Sequence, residues 1–244
     1  TCDLDMPTLP WILKDNQHVS DTDRNLLRGF LQKHKIAIEG HFRDALDDNS
    51  GLDWRYPAFA VKHYPSDPLL IEKLRLLCQI RGRGDNDVKR NYQNQLVEFH
   101  ALYVCVALMK YRFDGWDQPS GKSGVALQKD CDLAFIENGQ RLFADAKDVS
   151  SEILSMSEIP GRPGYKLFDP KVELTAWVKR QIRNVEEKGA DFLICHTTGW
   201  ELAKFGFSEG GLPCWLDATF PNTLTWSNEG PVWQIDSGSI TQII

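Results

Sequence analysis

Two apolar runs meet at "IENGQ", residues 136–140, and this junction restricts the fold more than any other part of the chain. Asn138-Gly139 is the favoured two-residue hairpin loop, because a type I′ turn needs positive φ at both central positions. With those two residues as the loop, Glu137 faces Gln140, and counting back along both strands sets Asp132 opposite Asp145. Directly opposed residues share one face of a sheet, with Cβ atoms about 4.5–5.5 Å apart. Lys147 lies two residues beyond Asp145 and joins that face. Two carboxylates placed opposite each other repel, and a divalent cation is the obvious compensation.

The hairpin sits in a series of regular elements. Residues 88–112 read as one long helix with two neighbouring stripes, Tyr92, Leu96, Phe99, Tyr103 and Val106 beside Gln95, Glu98, Leu102, Cys105 and Met109. Both stripes turn apolar toward the C-terminal end, so the helix is broadly buried and Glu98 points along a packing face. A carboxylate there is costly unless it is paired or holds a metal. Residues 124–136 and 141–149 supply the strands of the hairpin, and "PKVELTAWVKRQIRNVEEK", 170–188, is an amphipathic helix opened by Pro170 and closed by Gly189. "ADFLICHTT" is a continuous apolar run, the mark of a strand buried on both faces.

Upstream, the pattern from Ser20 is helical through Leu27, Phe30, Leu31, Ile38, Phe42 and Leu46, and 49–65 is a loop or short extended piece rich in aromatics. "SDPLLIEKLRLLCQI" starts a helix, with Asp67 as cap and Pro68 at the first helical position. "RGRGDND", 81–87, breaks the pattern, and the tail from 200 is rich in Gly, Pro and Trp. This divides the chain into a helical N-terminal region (1–85), a core (86–200) and a β-rich C-terminal extension (201–244). A length of 244 residues makes one elaborated domain the default. The net charge of −6 argues against a non-specific nucleic-acid coater, though not against a local basic groove. The six cysteines form no CxxC pair, which argues against a zinc knuckle, and several sit in apolar patterns as buried thiols. A reducing compartment, the cytoplasm, is the expected setting. No membrane segment or signal peptide is expected.

A helix with an inward Glu98, a strand carrying "CD" at 131–132, a hairpin to "DAK" at 145–147, then a helix and a strand together resemble the PD-(D/E)XK nuclease superfamily. The resemblance covers about residues 88–198. Cys131 stands where that family commonly has Pro, and Asp145 where Glu is commoner. It implies an α/β fold with a restriction-endonuclease-like core of helix, β-meander, helix and strand. It further implies a metal-dependent nuclease using Mg²⁺ or Mn²⁺ on nucleic acid, with DNA favoured over RNA. Hard cations of this kind prefer oxygen ligands.

By the same resemblance Asp132 and Asp145 are primary metal ligands, Glu98 binds directly or through water, and the carbonyl of Ala146 is an extra ligand. Lys147 stabilises transition-state charge and orients the attacking water. Gln181, which shares a helix stripe with Trp177 and Val185, is the candidate from the later helix. Arg81, Arg83, Arg162 and Lys166 lie in Gly-rich loops placed to meet phosphates. His100 and His196 read as packed or surface histidines. Three alternatives stay open: a catalytically inactive binding or scaffolding protein on the same fold, a non-nuclease Mg²⁺ hydrolase, and a solvent-facing hairpin with ordinary surface charges. The last leaves Glu98 and the opposed aspartates without a reason. A monomer and a homodimer both fit this sequence.

Overall fold

A computed structural model describes residues 20–47, 54–80, 85–108, 110–121, 130–148, 180–196 apart from 182 and 186, 224–227, 230–233 and 242–243. Through these the chain runs as helices α1 (Asp21–Lys33), α2 (Gly40–Asp47), α3 (Arg55–His63), α4 (Leu70–Cys78) and α5 (Asp85–Tyr103), the last continued by a π-helical turn, Val104–Leu108. Strands β1 (Arg112–Gln118), β2 (Cys131–Glu137) and β3 (Gln140–Asp148) follow. Helical residues within 180–188 (α6) then lead into β4 (Phe192–His196), β5 (Leu224–Ser227), β6 (Gly230–Trp233) and β7 (Gln242–Ile243).

The strands form one mixed sheet in the order β1-β2-β3-β4-β7-β6-β5. β1, β2 and β3 are an antiparallel meander, whereas β4 pairs parallel to β3. A parallel neighbour needs a crossover rather than a hairpin, and α6 lies in that connection. The sequence pattern missed β1. "RFDGWDQ" mixes charges with a glycine, and its ladder to β2 is interrupted by a bulge between Phe113 and Gly115.

The helical lead-in also differs from its sequence reading. The single pattern from Ser20 is two helices, because Lys35 and Gly40 both take φ of 54° and interrupt the α conformation. The start of α1 is capped, with the Ser20 amide donating to Asp23 Oδ2 at 2.7 Å. The aromatic stretch expected as loop contains α3, whose Tyr56–Val61 segment is buried all round and therefore shows no amphipathic stripe. α4 begins at Leu70 and not at Pro68, because Pro68 and Leu69 form a turn ahead of it. Asp67 Oδ1 closes that turn by accepting from the amides of Leu69 at 2.9 Å and Leu70 at 3.2 Å. α5 starts earlier and ends earlier than the expected 88–112, with Lys110 at φ 63° just before β1.

One buried apolar cluster runs through the helices into the sheet, from Leu27, Leu31 and Leu74 through Phe99, Leu102 and Trp116 to Leu133, Phe135, Leu142, Ala144 and Ile194. On β2 and β3 these sheet positions alternate with Asp132 and Asp145. The site residues thus occupy the positions that the helical core leaves over. Among the described residues, no helix is long and apolar enough to cross a membrane.

Candidate functional site

Asn138 and Gly139 take φ of 48° and 82°, the left-handed pair that a type I′ turn requires. The resulting ladder runs from Glu137↔Gln140 to Leu133↔Ala144. One further step in that register sets Asp132 opposite Asp145, as the turn predicts. Asp145 is wholly buried, with its side chain 0% exposed, while Asp132 is 18% exposed. The two carboxylates therefore share one small volume at the end of the hairpin.

Two ammonium groups compensate them. Lys147 Nζ stands 2.7 Å from Asp145 Oδ2 and 3.5 Å from Asp132 Oδ2. It also donates to the carbonyl of Ala146 at 3.1 Å. Lys188 Nζ bonds Asp145 Oδ1 and stands 3.5 Å from Asp132 Oδ1. The Ala146 amide donates to Asp132 Oδ2 at 2.7 Å. Burial opposes the charge on Asp132, but Lys147 and Lys188 outweigh it and hold its pKa below the usual carboxylate range. Asp145 goes the other way: burial, and then the charge of Asp132, push its pKa up. The pair is thus unequal, with Asp132 the more firmly ionised carboxylate.

The donor set suits a hard cation. Asp145 Oδ2 is buried and has no hydrogen bond of good geometry, although Lys147 Nζ stands in ion contact with it. The ammonium of Lys188 already occupies a cation position between the two carboxylates. Asp132, Asp145 and the Ala146 carbonyl are the oxygens present for a divalent ion. Among the described residues, no three His, Cys, Asp or Glu side chains converge as a ligand cluster.

Glu98 is nearly buried, as its stripe predicts, with its side chain 12% exposed. Its hydrogen bond goes to Lys73 on α4, Nζ to Oε2 at 2.6 Å, and Lys73 also holds Asp117 Oδ1 on β1 at 2.7 Å. Burial and then the negative charge of Asp132 raise the Glu98 pKa to about 7, against the pull of Lys73. Glu98 is thus electrically part of the site, while its bond is committed to a neighbouring lysine.

On α6, Gln181 is buried and its Oε1 accepts from Asn184 Nδ2 at 3.2 Å, so its hydrogen bond stays within the helix. The stripe through Gln181 and Val185 continues one turn on to Lys188, the residue that reaches both aspartates. Lys188 went unnoticed in the sequence, although the same stripe and the capping Gly189 pointed to it. Lys73 and Asp117 carried no local signal. His100 packs edge-on against Tyr56, ring centroids 4.9 Å apart, as a core histidine does. Arg81, Arg83, Arg162, Lys166 and Trp177 lie outside the described residues, and so does the side chain of His196. Comparison of the chain with protein-family models, with curated proteins and with solved structures finds no significant match.

Proposed function

We propose that the chain is a metal-dependent nuclease of restriction-endonuclease-like type, hydrolysing phosphodiester bonds of nucleic acid, with DNA the favoured substrate. The observation that carries this reading is the convergence of Asp132 and Asp145 from adjacent strands around a cation position, with Lys147 on the same carboxylates. Asp132, Asp145 and the Ala146 carbonyl would hold the ion, and Glu98 would join them directly or through water on release from Lys73. A bound Mg²⁺ or Mn²⁺ supplies Lewis-acid stabilisation of a phosphoryl oxygen and lowers the pKa of water. Lys147, fixed by three oxygens, presents a point charge to the negative charge that develops on the phosphate. The raised pKa of Glu98 leaves it able to hold or yield a proton near neutrality.

Cleavage of plasmid, linear DNA and RNA under a Mg²⁺ and Mn²⁺ titration tests this reading, with single-turnover rates and calorimetric metal affinity for two variants. Lys147→Ala lowers the rate by roughly 10²–10³ and leaves metal binding largely intact. Asp145→Ala loses metal binding as well, because it removes a ligand. Parent-like cleavage by Lys147→Ala overturns the reading. One observation favours a second reading, a catalytically inactive binding protein on the same scaffold: both aspartates are already matched by two lysines. Absence of cleavage under every metal condition, with nucleic acid still bound, selects it.

A further inference from the structure

We propose that Lys188 is a displaceable counter-ion of the site, which holds Asp132 and Asp145 together in the metal-free protein and must swing away when a divalent cation binds. This rests on the metal-dependent reading above. The two aspartates and the two lysines sum to zero charge in a volume where Asp145 is fully buried and Lys188 is 16% exposed. A dication added to that set brings an uncompensated double positive charge beside an ammonium on the same oxygens. One of the two ammonium groups has to leave.

The geometry selects Lys188. Lys147 is held by three oxygens, one of them the carbonyl of its own chain neighbour Ala146. Among the described residues, Lys188 Nζ is held by the two carboxylates alone, through Asp145 Oδ1 and Asp132 Oδ1. Its backbone, by contrast, is pinned. The Lys188 carbonyl accepts from Ser120 Oγ at 2.6 Å and from Cys131 Sγ at 3.7 Å, which ties it to the residue before Asp132. Gly189 then takes φ of 67° and the Ala190 amide donates to the Val185 carbonyl at 3.0 Å, closing the helix immediately after the lysine. Lys188 is less exposed than Lys147, 16% against 29%, so what selects it is its smaller set of oxygen contacts. A fixed backbone beside a four-carbon side chain gives a swing that needs no movement of the fold. Metal affinity is then the difference between two cations competing for one pair of carboxylates.

The test is calorimetric titration of Mg²⁺ into the parent and Lys188→Gln, together with reductive methylation of the parent with and without saturating Mg²⁺, read by peptide mass spectrometry. Lys188→Gln is expected to bind Mg²⁺ about tenfold more tightly or better, since it removes a unit charge from beside the ion. Lys188 of the parent is expected to methylate faster in the Mg²⁺-loaded form, with Lys147 unchanged. Parent binding with equal or weaker binding by Lys188→Gln overturns the displacement and leaves the metal site standing. Failure of both proteins to bind Mg²⁺ overturns the displacement and the metal site together. Should Lys188→Gln not fold, the labelling of the parent decides: Lys188 equally protected at Mg²⁺ saturation overturns the proposal.

Discussion

Glu98 shows how a single residue couples burial to proton binding. Its pKa rises to about 7 from an ordinary 4.5, so between these values the folded chain holds a proton that the unfolded chain has released. The stability linked to that proton is full below pH 4.5 and is lost as pH rises through 7. Glu98→Gln cannot titrate. The parent should therefore lose more stability than Glu98→Gln between pH 4.5 and pH 7.5, by roughly 1–3 kcal/mol. Urea unfolding of both proteins with a chelator present measures this difference, and shared titrations elsewhere cancel from it. Equal slopes would mean that Lys73 keeps Glu98 ionised throughout. The burial of Glu98 was legible from its helix stripe, because period and apolar neighbours are local properties. Its bond to Lys73 was not, since the partner comes from a different helix and only packing brings them together.

Among the elements, the hairpin was the most legible because its chemistry is contained in two residues. Asn138-Gly139 dictates the turn, the turn dictates the register, and the register places Asp132 and Asp145 together. Gly139 has φ of 82° and open space where a Cβ would stand, so Gly139→Ala meets no clash but carries the left-handed backbone penalty. It should lower stability by about 1 kcal/mol, read as a shifted urea midpoint at unchanged slope. The ladder below the turn should hold, leaving Mg²⁺ affinity within about twofold of the parent. A large loss of affinity would show that the turn alone maintains the register. α3 and β1 escaped notice for opposite reasons. Burial on every side erases the helical period of Tyr56–Val61, and the bulge at Phe113/Gly115 erases the strand alternation of β1. Both patterns yield to tertiary surroundings, which a local reading cannot contain.

At the scale of the molecule, the helical lead-in and the sheet share one interior. Leu27, Phe42 and Leu74 belong to the same buried cluster as Phe99, Trp116, Leu133 and Ile194. Lys73 reinforces that continuity: it is 8% exposed and bonds Glu98 on α5 and Asp117 on β1, and its ammonium lies 5.8 Å from the Trp116 ring centroid. Removing it strands the buried Glu98 carboxylate, although protonation of Glu98 relieves part of the penalty. Lys73→Met should therefore cost about 3 kcal/mol, the low end for breaking a buried pair. A cluster of this continuity should unfold as one unit. Trp54, buried among the helices, and Trp116, buried on the sheet, report the two ends separately. In protein labelled with 5-fluorotryptophan, the ¹⁹F signals of Trp54 and Trp116 should disappear at the same urea concentration. In Lys73→Met both midpoints should move down together. Loss of the Trp54 signal while that of Trp116 persists would show that the helices unfold apart from the sheet, with Lys73 then a local contact and not a tie across the core.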